Sequence, residues 1–326
     1  MRFLCLLVSL AFGALPVFGT RKSYNETLAW QLLHMAAASY GEEKGACLQK
    51  AFPREDYRIL LPFSAECDRL WDTCAGFIAV SDVEEKLIFA FRGTNEFTQL
   101  VDEAVTGLLS ALVPFSDWGM VNMYFNRGAD ALWPQIEGVL SNPDYEDYDF
   151  IFTGHSLGGA LAVLAAARTV AEGIHASDQI TVYTFGEPRV GDYAFAQKYD
   201  EMIKNSYRVV HRDDIVPHLP PCHPLFLYIL FPSLPCSHKG MHHHGTEIWY
   251  EYSMEPRSQY KVCTREEDSS CSDQVSFISK LGKDISDHLN YFDADVSDYG
   301  KKGCNSETAW DLVKDDLCFL LRINCE

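Results

Sequence analysis

Residues 154–158 read Gly-His-Ser-Leu-Gly and set a hydroxyl between two glycines at the G-x-S-x-G spacing of a serine nucleophile. Phe150, Ile151 and Phe152 before them are an apolar, β-favouring run ending at Thr153. After Gly159 comes Ala160-Leu-Ala-Val-Leu-Ala-Ala-Ala-Arg168, a strong helix former. A strand that reverses directly into a helix holds the central residue in a strained conformation with its hydroxyl presented outward. The flanking positions must then be glycine, because a Cβ would strike the strand or the helix. The helix start also aims free N–H groups and a positive dipole end at the place where an oxyanion would form. An ordinary glycine turn is the bland alternative, and the strand–turn–helix setting favours Ser156 as nucleophile.

A serine hydroxyl attacks only when a histidine takes its proton and an acid orients that histidine. The acid should follow a later strand. Ser206–His211 reads as that strand and runs into Arg212-Asp213-Asp214-Ile215-Val216-Pro217, where the chain would leave the sheet. The pattern does not choose between Asp213 and Asp214. Most of the eleven histidines follow Ser156. His288, in Ile285-Ser-Asp-His-Leu-Asn-Tyr-Phe292, lies beyond all the predicted strands and is free to fold back over the serine turn. His242-His243-His244 has the look of a metal site but lacks a spaced set of Cys, Asp or Glu partners, and we read it as a solvated polar loop.

The elements that must position these groups alternate along the chain. Asn25 to Tyr40 is an Ala/Leu-rich helix, and Gly76–Val80 and Lys86–Phe91 form a hairpin turned at residues 81–85. Asn126 to Val139 is helical around a proline, and Ile180–Phe185 is a further buried strand. The alternation predicts an α/β fold with a mostly parallel sheet covered by helices on both faces.

Residues 1–19 carry a charged start and an apolar run, Phe3 to Phe12, and are expected to be a signal peptide cleaved near Gly19. No other stretch reaches transmembrane length. Residues 20–326 are expected to form one domain, since no linker, repeat or low-complexity tract divides them. Removing the leader leaves ten of the eleven cysteines, an even number suited to an oxidising compartment. Asn25-Glu26-Thr27 is a glycosylation sequon. A formal charge of −19 argues against a nucleic-acid partner and against strongly anionic membranes, but not against a neutral lipid surface.

Six blocks carry a family resemblance. They are Phe91-Arg-Gly-Thr94, Gly154-His-Ser-Leu-Gly-Gly159, Thr184-Phe-Gly-Glu-Pro-Arg-Val-Gly-Asp192, Asp214-Ile-Val-Pro-His-Leu-Pro-Pro221, Gly245-Thr-Glu-Ile-Trp249 and Asp287-His-Leu-Asn-Tyr-Phe292. In that order they resemble the class 3, fungal-type lipases, and more closely their secreted nematode-type relatives. The resemblance implies an α/β-hydrolase fold, Ser156 as nucleophile, Asp214 as acid and His288 as base. It leaves Asp213 as a surface carboxylate. It also implies an oxyanion hole from the main-chain N–H groups of Thr94 and Leu157, with the Thr94 hydroxyl as a further donor. Arg92 and Arg189 are read as structural partners of charge or hydrogen bonds.

Phe97, Leu100, Val101, Val105 and Leu108 recur at helical spacing just after Thr94, where the resembling lipases carry a lid. A surface helix packed on the core is the alternative. Between Pro221 and Gly245 the chain departs from the fungal pattern with an insertion containing an apolar run, Leu225 to Phe231, which Cys222 and Cys236 could close. Cys263 and Cys271 resemble a family disulfide, and Cys67 and Cys74 make a plausible local pair. The pairing of Cys47, Cys304, Cys318 and Cys325 is not readable, although an N- to C-terminal tie would suit the family. The expected protein is a secreted serine ester hydrolase, foremost a triacylglycerol lipase, with the lysosomal lumen as the alternative compartment. It would need no metal or cofactor and would meet neutral lipid at an interface. A phospholipase A1 or soluble carboxylesterase uses the same chemistry, and a non-catalytic lipid-binding protein is the rival from another class.

Overall fold

In the computed structural model, residues 22–67, 73–94, 111–223, 227, 236, 240–274 and 285–311 are described. The central sheet has eight strands: β1 (Arg58–Glu66), β2 (Thr73–Ser81), β3 (Lys86–Phe91), β4 (Asp149–His155), β5 (Ile180–Phe185), β6 (Asn205–His211), β7 (Thr246–Tyr250) and β8 (Lys261–Cys263). They lie side by side in chain order. β1, β2 and β3 form an antiparallel meander. β3 through β7 run parallel, and β8 returns antiparallel along β7.

Both faces of this sheet are covered, as near-continuous apolar strands require. Alternate residues supply the two sides. Ile78, Val80, Leu87, Phe89, Phe150 and Phe152 pack with the helices Met123–Leu140 and Leu157–Ala171. Phe77, Ala79, Ile88, Ala90 and Ile151 pack with the helices Glu26–Ala38 and Lys44–Ala51. Helix Leu157–Ala171 is apolar nearly all round and buried to match. Asn25 caps the first helix, its side-chain oxygen accepting the Leu28 N–H at 3.0 Å.

Register sets the site. Phe91 pairs with Gly154, His155 with Phe185, and Phe185 with Val209. The segments leaving β3, β4, β5 and β6 therefore emerge together at the carboxyl edge of the parallel strands, where sheets of this kind bind ligands. A four-stranded sheet, built of Leu112–Phe115, Gly119–Asn122, Gly191–Asp192 and Met241–His242, accompanies the main one.

Among the described residues four disulfides are formed: Cys47–Cys304, Cys67–Cys74, Cys222–Cys236 and Cys263–Cys271. Cys318, Cys325, the 97–108 stripe, the leader and most of the 225–231 run lie outside the described residues. Among the described residues no helix is long and apolar enough to cross a membrane.

The histidine run corrects an expectation. His242, His243 and His244 are buried rather than solvated. The His242 ring meets Tyr193, His243 stands 3.1 Å from Glu267, and His244 stands 3.2 Å from Glu187. The reading failed because those carboxylates come from segments distant in sequence and meet the run only in the fold.

Candidate active site

β4 ends at His155 and the next helix begins at Leu157, so Ser156 alone makes the reversal, at φ 58° and ψ −129°. That left-handed backbone is costly for a residue with a Cβ, by about 1–2 kcal/mol. Its neighbours hold it there: the Ser156 N–H donates to the Phe185 carbonyl and its own carbonyl accepts from Gly159, both at 2.9 Å. A Cβ on Gly154 would overlap the Gly158 main chain, and one on Gly158 would overlap the Phe91 carbonyl. The two glycines of the motif are thus places where the turn, the helix and β3 touch backbone to backbone.

His288, on the short helix Ser286–Leu289, and Asp214, just beyond β6, are both fully buried. The His288 Nδ1 lies 2.8 and 3.0 Å from the two Asp214 oxygens. A carboxylate only accepts, so Nδ1 carries a proton, and in the neutral ring Nε2 is the nitrogen with the lone pair. Asp214 also accepts from the Tyr291 hydroxyl at 2.6 Å and the Val216 N–H at 2.9 Å. Burial pushes its pKa up, but these partners outweigh burial and hold it below the ordinary value. Asp213 is half-buried, and its main-chain N–H donates to Asp287 at 3.4 Å. Gly186, at φ +58°, closes the pair from β5: a Cβ there would lie 2.7 Å from Asp214 Oδ2 and 2.8 Å from His288 Nδ1.

His155 joins this pair to the serine turn. Its ring packs on the His288 ring with centroids 4.6 Å apart, and its Nε2 donates to the His288 carbonyl at 2.8 Å. Burial, then the neighbouring imidazole, push the His155 pKa down to about 3, so the ring is neutral. Tyr291 and His155 both lie inside quoted motif blocks, yet nothing in their spacing indicated these contacts.

Thr94 follows β3 at the same edge, and among the described residues its buried hydroxyl has no hydrogen-bond partner. Leu157 is the first residue of its helix, where N–H groups lack intrahelical acceptors. Arg92 donates to the Thr73 carbonyl. Arg189 forks onto Glu267 at 2.7 and 3.0 Å and lies 3.6 Å from Asp273. His243, Glu267 and Asp273 are close enough to hold a metal ion, but the Arg189 guanidinium already supplies the cation those carboxylates need. Cys222 and Cys236, the other thiol-bearing cluster with Glu267, are joined as a disulfide and offer no thiolate.

The family model described as Lipase (class 3) matches residues 88–223. The lipase ZK262.3 of Caenorhabditis elegans is 41% identical over 316 residues, covering 92% of this chain and 88% of that protein. The crystal structure of a lipase from Rhizopus microsporus var. chinensis superposes with a TM-score of 0.65 at 28% identity, over 83% of this chain and 88% of that one. A triacylglycerol lipase, described as having a serine protease triad as its catalytic centre, superposes with a TM-score of 0.64 at 26% identity, over 83% and 95% of the two chains. With likeness extending through nearly the whole length of both sequences, the chain belongs to the class 3 lipases and is an ester hydrolase on an α/β-hydrolase fold.

Proposed function

We propose that the protein is an exported triacylglycerol lipase whose single domain, residues 20–326, works through Ser156, His288 and Asp214. The observation that carries this reading is the buried Asp214–His288 pair, with its proton on Nδ1, beside the strained serine turn. His288 Nε2 takes the Ser156 proton as the hydroxyl attacks an ester carbonyl. The tetrahedral oxyanion is held by the Thr94 and Leu157 N–H groups, with the Thr94 hydroxyl turning toward it. His288 then returns the proton to the departing glycerol oxygen, leaving an acyl-enzyme. Water deprotonated by the same nitrogen releases the fatty acid. Asp214 stays ionised throughout, holding the imidazole tautomer and stabilising the imidazolium. No step calls for a metal or cofactor.

Export is supported by the apolar leader, four disulfides and the exposed Asn25 sequon, whose capping oxygen leaves the amide nitrogen available to a glycan. The apolar stripe at residues 97–108 is proposed as the lid that lipid displaces. Triacylglycerol hydrolysis should be measured with wild type and Ser156→Ala at substrate concentrations below and above emulsion formation. The reading expects wild-type activity to jump at the interface and the variant to lose about 10⁵-fold or more. Saturation on monomeric ester would make the protein an esterase, and preference for a diacyl phospholipid a phospholipase A1. Equal inactivity with retained lipid binding would overturn catalysis itself.

A further inference from the structure

We propose that Tyr40 is a positioning residue whose hydroxyl locks the Gly93–Thr94 loop and the serine turn into one catalytic geometry. The inference rests on the assignment of Ser156, His288 and the two oxyanion donors. Tyr40 lies just past the first helix, 115 positions before His155, and belongs to none of the six motif blocks. Its buried hydroxyl stands 3.0 Å from His155 Nδ1.

The direction of that bond follows from the rest of the ring. His155 Nε2 faces the His288 carbonyl, which can only accept, so Nε2 carries the proton. The ring is neutral, so Nδ1 is an acceptor and Tyr40 must donate. Gly93 packs directly against that same hydroxyl oxygen. Gly93 fits there only because it lacks a side chain. A Cβ would overlap the Tyr40 hydroxyl and lie 2.7 Å from the His155 carbonyl. One oxygen therefore touches both structures that must supply the oxyanion donors: Thr94 follows Gly93, and Leu157 lies two residues beyond His155. Through His155 it also reaches the main chain of His288. The separation of the two donors and the seat of the base depend on the same small group.

The test is Tyr40→Phe, which keeps the buried ring and deletes only the hydroxyl, alongside His155→Asn and the double variant. A nitrophenyl alkylphosphonate would first count competent sites by its burst, with mass spectrometry locating the adduct. An adduct elsewhere than Ser156 would refute the nucleophile assignment, whatever Tyr40 does. Given an adduct on Ser156, kcat per titrated site should fall roughly 10- to 100-fold in Tyr40→Phe, with KM on a monomeric ester unchanged. The phosphonylation rate should fall in proportion to kcat/KM, because the adduct shares the tetrahedral geometry of the reaction. The double variant should lose far less than the product of the single losses, since both residues act through one contact. A merely structural Tyr40 would instead lower the titre and leave kcat per site intact. That result, or multiplicative losses in the double variant, overturns the proposal.

Discussion

Three donors converge on the Asp214 carboxylate: the His288 ring, the Tyr291 hydroxyl and the Val216 N–H. They make it a weaker base than burial alone would, which moderates its hold on the protonated imidazole. Tyr291→Phe removes one donor while keeping a ring of the same shape. The carboxylate should then rise in pKa and also attract the imidazolium more strongly. Both effects act in the same direction, so the acid limb of the kcat/KM profile should move upward by about one pH unit. A profile from pH 4 to 9 on a soluble ester reads the shift, and a downward displacement would contradict it. Stability follows with its own sign. A carboxyl held low in the folded state stabilises at neutral pH, and that contribution is lost as pH falls through its folded pKa. The variant should therefore be less stable than wild type in thermal melts at pH 7, and the gap between them should narrow as the melts are taken to lower pH.

At the scale of the elements, Gly186 is where β5 gives way to the acid–base pair. Its φ of +58° disfavours any side chain, and a Cβ would press on both Asp214 and His288. Gly186→Ala should cost about 1–2 kcal/mol in urea unfolding from the backbone alone. It should cost at least about 100-fold in kcat, because it displaces the pair proposed to activate Ser156. A stable variant with full activity would show that the pair has room to move. The elements that carry the site were largely legible. The Phe150–Phe152 run, the Ile180–Phe185 strand, the Lys86–Phe91 hairpin and the alanine-rich helix all stand where local apolar pattern put them. What escaped was whatever depends on distant partners. His243 and His244 looked solvated because Glu267 and Glu187 are invisible from their own segment. The four-stranded sheet has strands of two to four residues drawn from three regions, too short to leave a periodic signal. Tyr40 carries no motif at all; only the fold brings its hydroxyl to His155.

Over the whole molecule, the two ends of the described chain are sewn to each other. Trp30 stacks near Trp310 with centroids 6.0 Å apart, the Tyr299 hydroxyl meets His34 at 2.9 Å, and Lys50 pairs with Asp311 at 2.9 Å. Cys47–Cys304 makes the junction covalent across 257 positions. Replacing both cysteines by alanine should lower stability by about 2–5 kcal/mol, because the unfolded chain regains the freedom of a very long loop. The melting temperature of the oxidised proteins measures this, and an unchanged value would mean that the noncovalent seam suffices. The same bond changes what a cut does to the molecule. Val83, at the tip of the β2–β3 turn, is 78% exposed and the natural place for a protease to strike. Cys47 lies before that point and Cys304 after it, so the severed pieces stay shackled, with β2 still laid along β3. A nicked molecule would run as two bands only after reduction, and until then would remain one closed body with its serine turn in place.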